Sequence, residues 1–323
     1  MAKSLIDMVA TYLGHTREQV LHLSYRAPMT YRRYTIPKKK GGRRLINHPA
    51  KQTKSLQYAL MNIFLSQLPI HSCAAAYKKK TASEHIPSPL LKNAILHAPY
   101  SYSVRIDFTD FFHSISSLDL FNRISNNDIN LSISDKEFIE NCLFVRVPEG
   151  QKGLAIGAPS SPIISNIVMY SLDEQINAIA NGISDRVAYS RYADDIIFST
   201  NLRGGCNYFY RAMSELVTRT SSPKLVINRS KTMFSSRASR RVVTGLFIRP
   251  DGGTSLGRQN KRYIRKLLFD LKRDNIEPRK LTYLSGYLAF ALDVEPDFYN
   301  RLAHKYGAEL LAVAIGKTHH DVS

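Results

Sequence analysis

Cysteine is scarce. Cys73, Cys142 and Cys206 are the three in 323 residues, widely spaced and in no metal-ligand pattern. That argues against a cysteine-held metal and fits a reduced, cytoplasmic setting. Long apolar runs are missing as well, and none approaches the length that crosses a bilayer, so no membrane partner is expected. The opening "MAKSLIDMVATYLGHTREQ" is broken by charges and lacks the apolar core of a signal peptide. There is no internal repeat and no low-complexity tract. Acidic residues are the last shortage: 26 Asp plus Glu stand against 45 Lys plus Arg, a net charge of +19. Such a surplus points to a polyanionic partner, nucleic acid first and a membrane surface second. It says nothing of fold. The length suits two or three packed subdomains around a real core.

What is present divides the chain into elements. Thr16 and Gln19 predict a capping box ahead of "REQVLHLSY". Two β-like runs, "YRRYTI" and "RRLINH", flank "PKKKGG" and predict a hairpin turning at Gly41 and Gly42. Its tip then carries Lys38, Lys39, Lys40, Arg43 and Arg44; a solvated tip and a phosphate clamp both fit such a cluster. An amphipathic helix follows in "TKSLQYALMNIFLSQL", then a second basic run, "YKKKTASEHIPSP", leading into "LLKNAILHA".

In "YSYSVRIDFTDFF", Tyr102, Val104, Ile106 and Phe108 share one strand face, and Ser103, Arg105 and Asp107 the other. The alternation ends the strand near Asp107, and Ser116 with Asp119 predicts a helix cap. In "GAPSSPIISNIVMYSLDEQINAIA", Ser161 reads as the N-cap with Pro162 at the first helical position. Ile164, Val168, Leu172 and Ile176 then line one helix stripe. A strand pair around "SRYADDIIFST", a helix through "FYRAMSELVTRT", the strand "KLVIN" and the hairpin "VVTGLFIRPDGGTSLG" complete the series. The order strand, helix, strand, strand, helix, strand predicts an α+β split βαβ sheet with helices on one face. The last seventy residues or so read as helical and basic: Ile264, Leu267, Leu268 and Leu271 face inward, with Arg258, Arg262, Arg265 and Lys272 opposite. That basic face suits phosphate contact or solubility alike.

Asp194 and Asp195 stand in the middle of an otherwise uncharged, strand-like run from Tyr192 to Thr200. A tight hairpin whose turn carries Ala193, Asp194 and Asp195 would set them at a sheet edge, with Asp107 on the neighbouring strand. Two carboxylates ~4 Å apart repel by about 4 kcal/mol at an effective dielectric near 20. Three together are retained where divalent cations sit between them. Oxygen-only ligands suit Mg²⁺, and a pair of such ions serves in-line phosphoryl transfer. The plain alternative is an ordinary Asp-Asp turn.

Taken together, "RYADD", "RIDFTDFF" and "GAPSSP" resemble the catalytic core of reverse transcriptases, and "NAILH" and "VTGL" resemble signatures of the bacterial retron type. The likeness runs from "YTIPKKKGGRRLINHP" to "SGYLAFALDVE". It implies a right-hand polymerase fold: fingers at 1–99 and 117–150, palm at 100–116 and 151–256, and a helical thumb at 257–323. It implies Asp107, Asp194 and Asp195 as catalytic metal ligands for two Mg²⁺ ions, with Asp110 outside the set. Phe112 matches the ring that rejects ribonucleotides, though alone it would be a core aromatic. Gly157 would let backbone approach the incoming nucleotide; Ile156 stands where the family usually has Gln. Lys40, Arg43 and Arg44 match the triphosphate clamp, and Lys231 the lysine that assists pyrophosphate departure. Thr244 and Gly245 would hold the primer end, while Asn93 and His97 would help recognise RNA or serve structurally.

The resemblance further implies a cognate structured RNA as template and primer, deoxynucleoside triphosphates as substrates, and priming from an internal guanosine 2′-hydroxyl. The product would be a branched RNA–DNA (msDNA), in an anti-phage defence role with a companion effector protein. No room is expected after the thumb for an RNase H, maturase or endonuclease domain, so template trimming would fall to a host RNase H. A non-catalytic RNA-binding scaffold, and a group II intron or diversity-generating enzyme, are the rival readings.

Overall fold

The computed structural model describes residues 4–38, 41–77, 87–147 and 150–316. Helix α1 (Leu5–Leu13) starts at Ser4, whose Oγ accepts the Asp7 N–H, and stops at left-handed Gly14. The capping box predicted at Thr16 and Gln19 opens α2 (Arg17–Arg26). Strands β1 (Tyr31–Pro37) and β2 (Arg43–Pro49) form the basic hairpin, with Gly41 and Gly42 at φ 91° and 80°, where a side chain would be strained. Two amphipathic helices follow, α3 (Lys51–Ile63) and α4 (Pro89–His97).

Strand β3 (Tyr102–Thr109) runs two residues beyond the Asp107 end that alternation predicts, because Phe108 and Thr109 still find partners in a further strand. After it, Ser116 and Asp119 cap α5 (Ser117–Ser125) reciprocally. Then come α6 (Ile133–Leu143) and a short hairpin of β4 (Phe144–Arg146) and β5 (Lys152–Leu154). The next helix departs from the sequence reading twice. It is split into α7 (Ser161–Val168) and α8 (Tyr170–Asn181) at Met169, and its N-cap is Ser160 rather than Ser161. Ser161 instead donates its hydroxyl to the Ala155 carbonyl, 2.7 Å away, which ties the helix entrance to the preceding loop. The apolar stripe survives the break: Ile164, Val168, Leu172 and Ile176 are all buried.

The remainder of the sheet is β6 (Val187–Tyr192), β7 (Asp195–Thr200), α9 (Gly205–Arg219), β8 (Val226–Ile227) and β9 (Met233–Ser236). Its order is β6-β7-β3-β8, with β9 also on β3, and every pairing is antiparallel. A small sheet of β10 (Arg241–Val243), β11 (Leu246–Ile248) and β12 (Thr254–Ser255) leads into α10 (Arg258–Lys272), α11 (Pro278–Val294), α12 (Pro296–Tyr306) and α13 (Ala308–Gly316).

Alternation along β7 separates two cores. Ile196 and Phe198 point into the larger one, where Phe198 stacks on Phe209 of α9 with ring centroids 4.2 Å apart. Removing such a buried ring costs about 3–5 kcal/mol. Ile197 points the other way, into a second core built by α4, β10, β11 and the four C-terminal helices. The sheet is therefore covered on both faces, and α4 packs with the C-terminal helices although it lies far from them in sequence. The carboxylates lie at the end of β3 and at the β6–β7 turn.

Candidate active site

Asp107 sits opposite Asp195 in the β3–β7 register, so two carboxylates project from adjacent strands at one level. Asp194 occupies the turn between β6 and β7. The turn is tighter than the sequence reading, since Asp195 is already the first residue of β7 and pairs with Tyr192. Two turn residues are left, Ala193 and Asp194, and Ala193 takes φ 58°. A left-handed alanine costs about 1–2 kcal/mol, so the surrounding bonds must impose it. One of them is the Phe108 N–H, which donates to the Asp194 carbonyl at 3.3 Å.

The charges show why this cluster is unfavourable without a counter-ion. Burial first, then the neighbouring Asp195 and Asp107, push the Asp194 carboxyl up to about 6. Burial raises Asp195 too, against the opposing pull of Arg105, whose Nη2 donates to both carboxylate oxygens at 2.8 and 2.6 Å. Lys231 Nζ donates to Asp107 Oδ1 at 2.6 Å. Two of three acids thus have a cation each, and the third is protonation-prone. Among the described residues no three His, Cys, Asp or Glu are grouped as a ready metal cluster; Asp107 and Asp195 are turned to Lys231 and Arg105. The donor set nevertheless fits a hard divalent cation: it is oxygen only, and like charge destabilises it.

A cavity of about 370 Å³ lies between β2 and the entrance of α7; the three acids are not in its wall, but Tyr77 is, and its ring centre stands 6.4 Å from that of Tyr192, two residues before Asp194. Arg44, Tyr77, Phe112, Ile156 and Gly157 are in its wall, so four residues singled out in the sequence meet in one place. Arg43 does not join them; its Nε donates back to Thr35 Oγ1 at 2.6 Å across the hairpin. Lys40 lies outside the described residues. Phe112 packs edge-on against Phe111, centroids 5.4 Å apart, and presents its free side to the cavity.

Gly157 corrects its sequence reading in part. Its φ is 110°, and a Cβ there would come within 2.9 Å of Ile46 Cγ2 and 3.2 Å of the Asn47 carbonyl. The close approach that needs glycine is to β2. The same junction is sealed by the Asn47 N–H donating to the Ile156 carbonyl at 2.8 Å.

Farther out, Thr244 and Gly245 form the two-residue tip of the β10–β11 hairpin, with φ 48° and 84°, and Thr244 Oγ1 donates to the Leu90 carbonyl at 2.9 Å. Arg258, Arg262 and Arg265 are exposed on α10, opposite buried Ile264, Leu267, Leu268 and Leu271. Asn93 and His97 are both buried, at 2 % and 1 % exposure. His97 bridges Ser199 and Ser190 through its two ring nitrogens, at 2.9 and 2.8 Å.

Sequence reasoning missed two residues. Arg105 lies on the same strand face as Asp107, and that i, i+2 spacing was the available signal for its hold on Asp195. Arg191 is the other, a charge inside a strand whose partner, Asp173, could not be paired with it from spacing alone.

Comparison with known proteins gives the family. Residues 36–285 match the family model described as "Reverse transcriptase (RNA-dependent DNA polymerase)". The chain is 34% identical over 288 residues to the Retron Ec83 reverse transcriptase of Escherichia coli, covering 88% of this chain and 89% of that protein. It is 36% identical over 299 residues to the Retron Ec73 reverse transcriptase of Escherichia coli, covering 88% and 90%. Among solved structures, apo telomerase from Candida Tropicalis superposes with a TM-score of 0.47 at 13% identity, covering 88% of this chain and 62% of that one. By this family match and these relatives, the chain belongs to the reverse transcriptases of the retron type, RNA-directed DNA polymerases with an α+β right-hand fold.

Proposed function

We propose that this polymerase copies a cognate structured RNA into DNA at Asp107, Asp194 and Asp195. The observation that supports this most is the Asp107–Asp195 register with Asp194 in the adjoining turn. Two Mg²⁺ ions, when bound, would neutralise these acids and favour in-line attack by a primer hydroxyl on the α-phosphate of a deoxynucleoside triphosphate, releasing pyrophosphate. The chain's own residues then position and select. Arg44 reaches the triphosphate from the cavity wall, where a planar guanidinium suits phosphate oxygens. Phe112 crowds the sugar's 2′ side and so rejects ribonucleotides. Lys231, now on Asp107, is close enough to the acids to meet the departing pyrophosphate.

In this reading the fingers comprise 1–99 and 117–150, the palm 100–116 and 151–256, and the thumb 257–323. Thr244 and Gly245 hold the primer end, and Arg258, Arg262 and Arg265 meet nucleic-acid phosphates. Likeness to retron enzymes supports priming from an internal guanosine 2′-hydroxyl, a branched msDNA product, template trimming by a host RNase H and an anti-phage role with an effector protein. A cytoplasmic setting fits the scarce cysteines; among the described residues no helix is long and apolar enough to cross a membrane.

The test is replacement of Asp194 and Asp195 together by Ala. Mg²⁺-dependent deoxynucleotide incorporation should vanish while the protein still retains RNA on a filter. Continued synthesis would contradict the assigned site.

A further inference from the structure

Among the described residues, the bulkiest side chain that is fully buried is not aromatic but charged: Arg191, the fifth residue of β6. Strand alternation turns it, with Tyr189, toward α8. There Arg191 Nε and Nη2 donate to the two carboxylate oxygens of Asp173 at 2.8 and 2.7 Å, and both partners have no solvent exposure. The Tyr189 hydroxyl donates to the same carboxylate at 3.0 Å. A buried ion pair is weak evidence for stability, since apolar residues of similar volume do as well or better. Its retention asks for a geometric reason.

The remaining guanidinium nitrogen supplies one. Arg191 Nη1 donates to the Ala193 carbonyl at 3.1 Å and to Asn166 Oδ1 at 3.1 Å. Asn166 is itself fixed, because its Nδ2 donates to the Ala76 carbonyl at 3.0 Å. The Arg191 backbone is clamped as well, donating to the Cys73 carbonyl at 2.9 Å and accepting from the Ala75 N–H at 2.8 Å. Asp194 stands between two peptide planes. The following plane is held through its own carbonyl by Phe108, the neighbour of Asp107. The preceding one is held through its carbonyl by Arg191, at the residue forced to φ 58°. With both planes set, the direction of the Asp194 Cα–Cβ bond is set.

We infer that Arg191, braced by Asp173 and Asn166, is a positioning residue that aims the Asp194 carboxylate at Asp107 and Asp195. The inference rests on the reading of Asp194 as catalytic only for its effect on rate; the effect on the turn is independent of it. Arginine is required because one rigid fork must serve a carboxylate on one side and a carbonyl on the other. A lysine has its three donors on a single atom.

The experiment uses the full chain in two forms, Arg191→Lys, and Arg191→Met combined with Asp173→Leu and Tyr189→Phe. The second removes both buried charges and the Tyr189 hydroxyl, so that no orphaned charge unfolds the protein. Hydrogen exchange is followed in chelator, without nucleotide, at the amides of Phe108, Asp194 and Asp195. Single-nucleotide extension then gives kcat and KM. We expect faster exchange at those amides, unchanged melting temperature and RNA retention, unchanged nucleotide KM, and kcat lower by about 100-fold, the scale of a misplacement near 1 Å.

Wild-type exchange and wild-type kcat in a folded variant would overturn the inference. So would faster exchange with unchanged kcat, or failure of both variants to fold, which would make the cluster a folding element only. Asp194→Asn separates the two readings. If that variant still extends primers, the catalytic assignment fails, while the exchange data continue to decide whether Arg191 holds the turn.

Discussion

Between the sheet and α4, the His97 ring is held by two serine hydroxyls in a place that water does not reach. Burial disfavours the imidazolium and lowers its pKa to about 3, against about 6.5 in an unfolded chain. Over that window the unfolded chain binds a proton that the native protein refuses. The contribution to stability is therefore whole above pH 6.5 or so and is lost progressively as pH falls toward 3. Near pH 5 the loss is about 2 kcal/mol. Denaturant melts at pH 7.5 and 5 should show it, and His97→Gln should lose less over the same interval; an equal loss in both would refute the assignment. The helical spacing of Leu91, Ala94 and His97 places all three on one buried stripe, a signal that the sequence carries and that its signature motif obscures. Asn93, one turn before His97, lies on the same face, though among the described residues no hydrogen-bond partner accounts for its side-chain amide.

Elements divide adjacent residues that sequence cannot separate. Arg43 and Arg44 begin β2, and a strand sends consecutive side chains to opposite sides. One is spent on Thr35 within the hairpin, and the other lines the cavity with Phe112. Arg44→Ala should raise the nucleotide KM by roughly 10- to 100-fold, the value of one charge-assisted hydrogen bond. Arg43→Ala should leave it nearly unchanged. Steady-state extension with each variant checks this, and equal effects would return the clamp to the hairpin tip as a whole. Strands β1, β2, β3, β6 and β7, the two capping boxes and the basic hairpin were legible because each is written locally, in alternation, in paired polar residues or in glycine, whereas the short β4, β5 and β9 were not. The Ser160 cap, the break at Met169 and the contact of Gly157 with Ile46 were not, since each depends on what the neighbouring loop or strand does.

At the scale of the molecule, two cores share one sheet, and exposed cations stand both on the β1–β2 hairpin and on α10, which belongs to the second core. Binding built on phosphates releases counter-ions, and log affinity then falls with log salt by roughly 0.7 to 0.9 per phosphate contacted. The α10 arginines are not equivalent in this respect. Arg265 holds its guanidinium 5.2 Å from the Phe298 ring centre, which commits it partly to packing. Arg258 and Arg262 are exposed at the helix start. Replacing those two by Ala should make the salt slope for RNA shallower by roughly 1.5, two contacts' worth, with little change in melting temperature. Arg265→Ala should instead lower the melting temperature and change the slope less. Filter binding across 50 to 300 mM salt distinguishes the two patterns. A slope that stays put in the Arg258 and Arg262 variant would remove α10 from the nucleic-acid path and leave the β1–β2 hairpin as the principal basic surface.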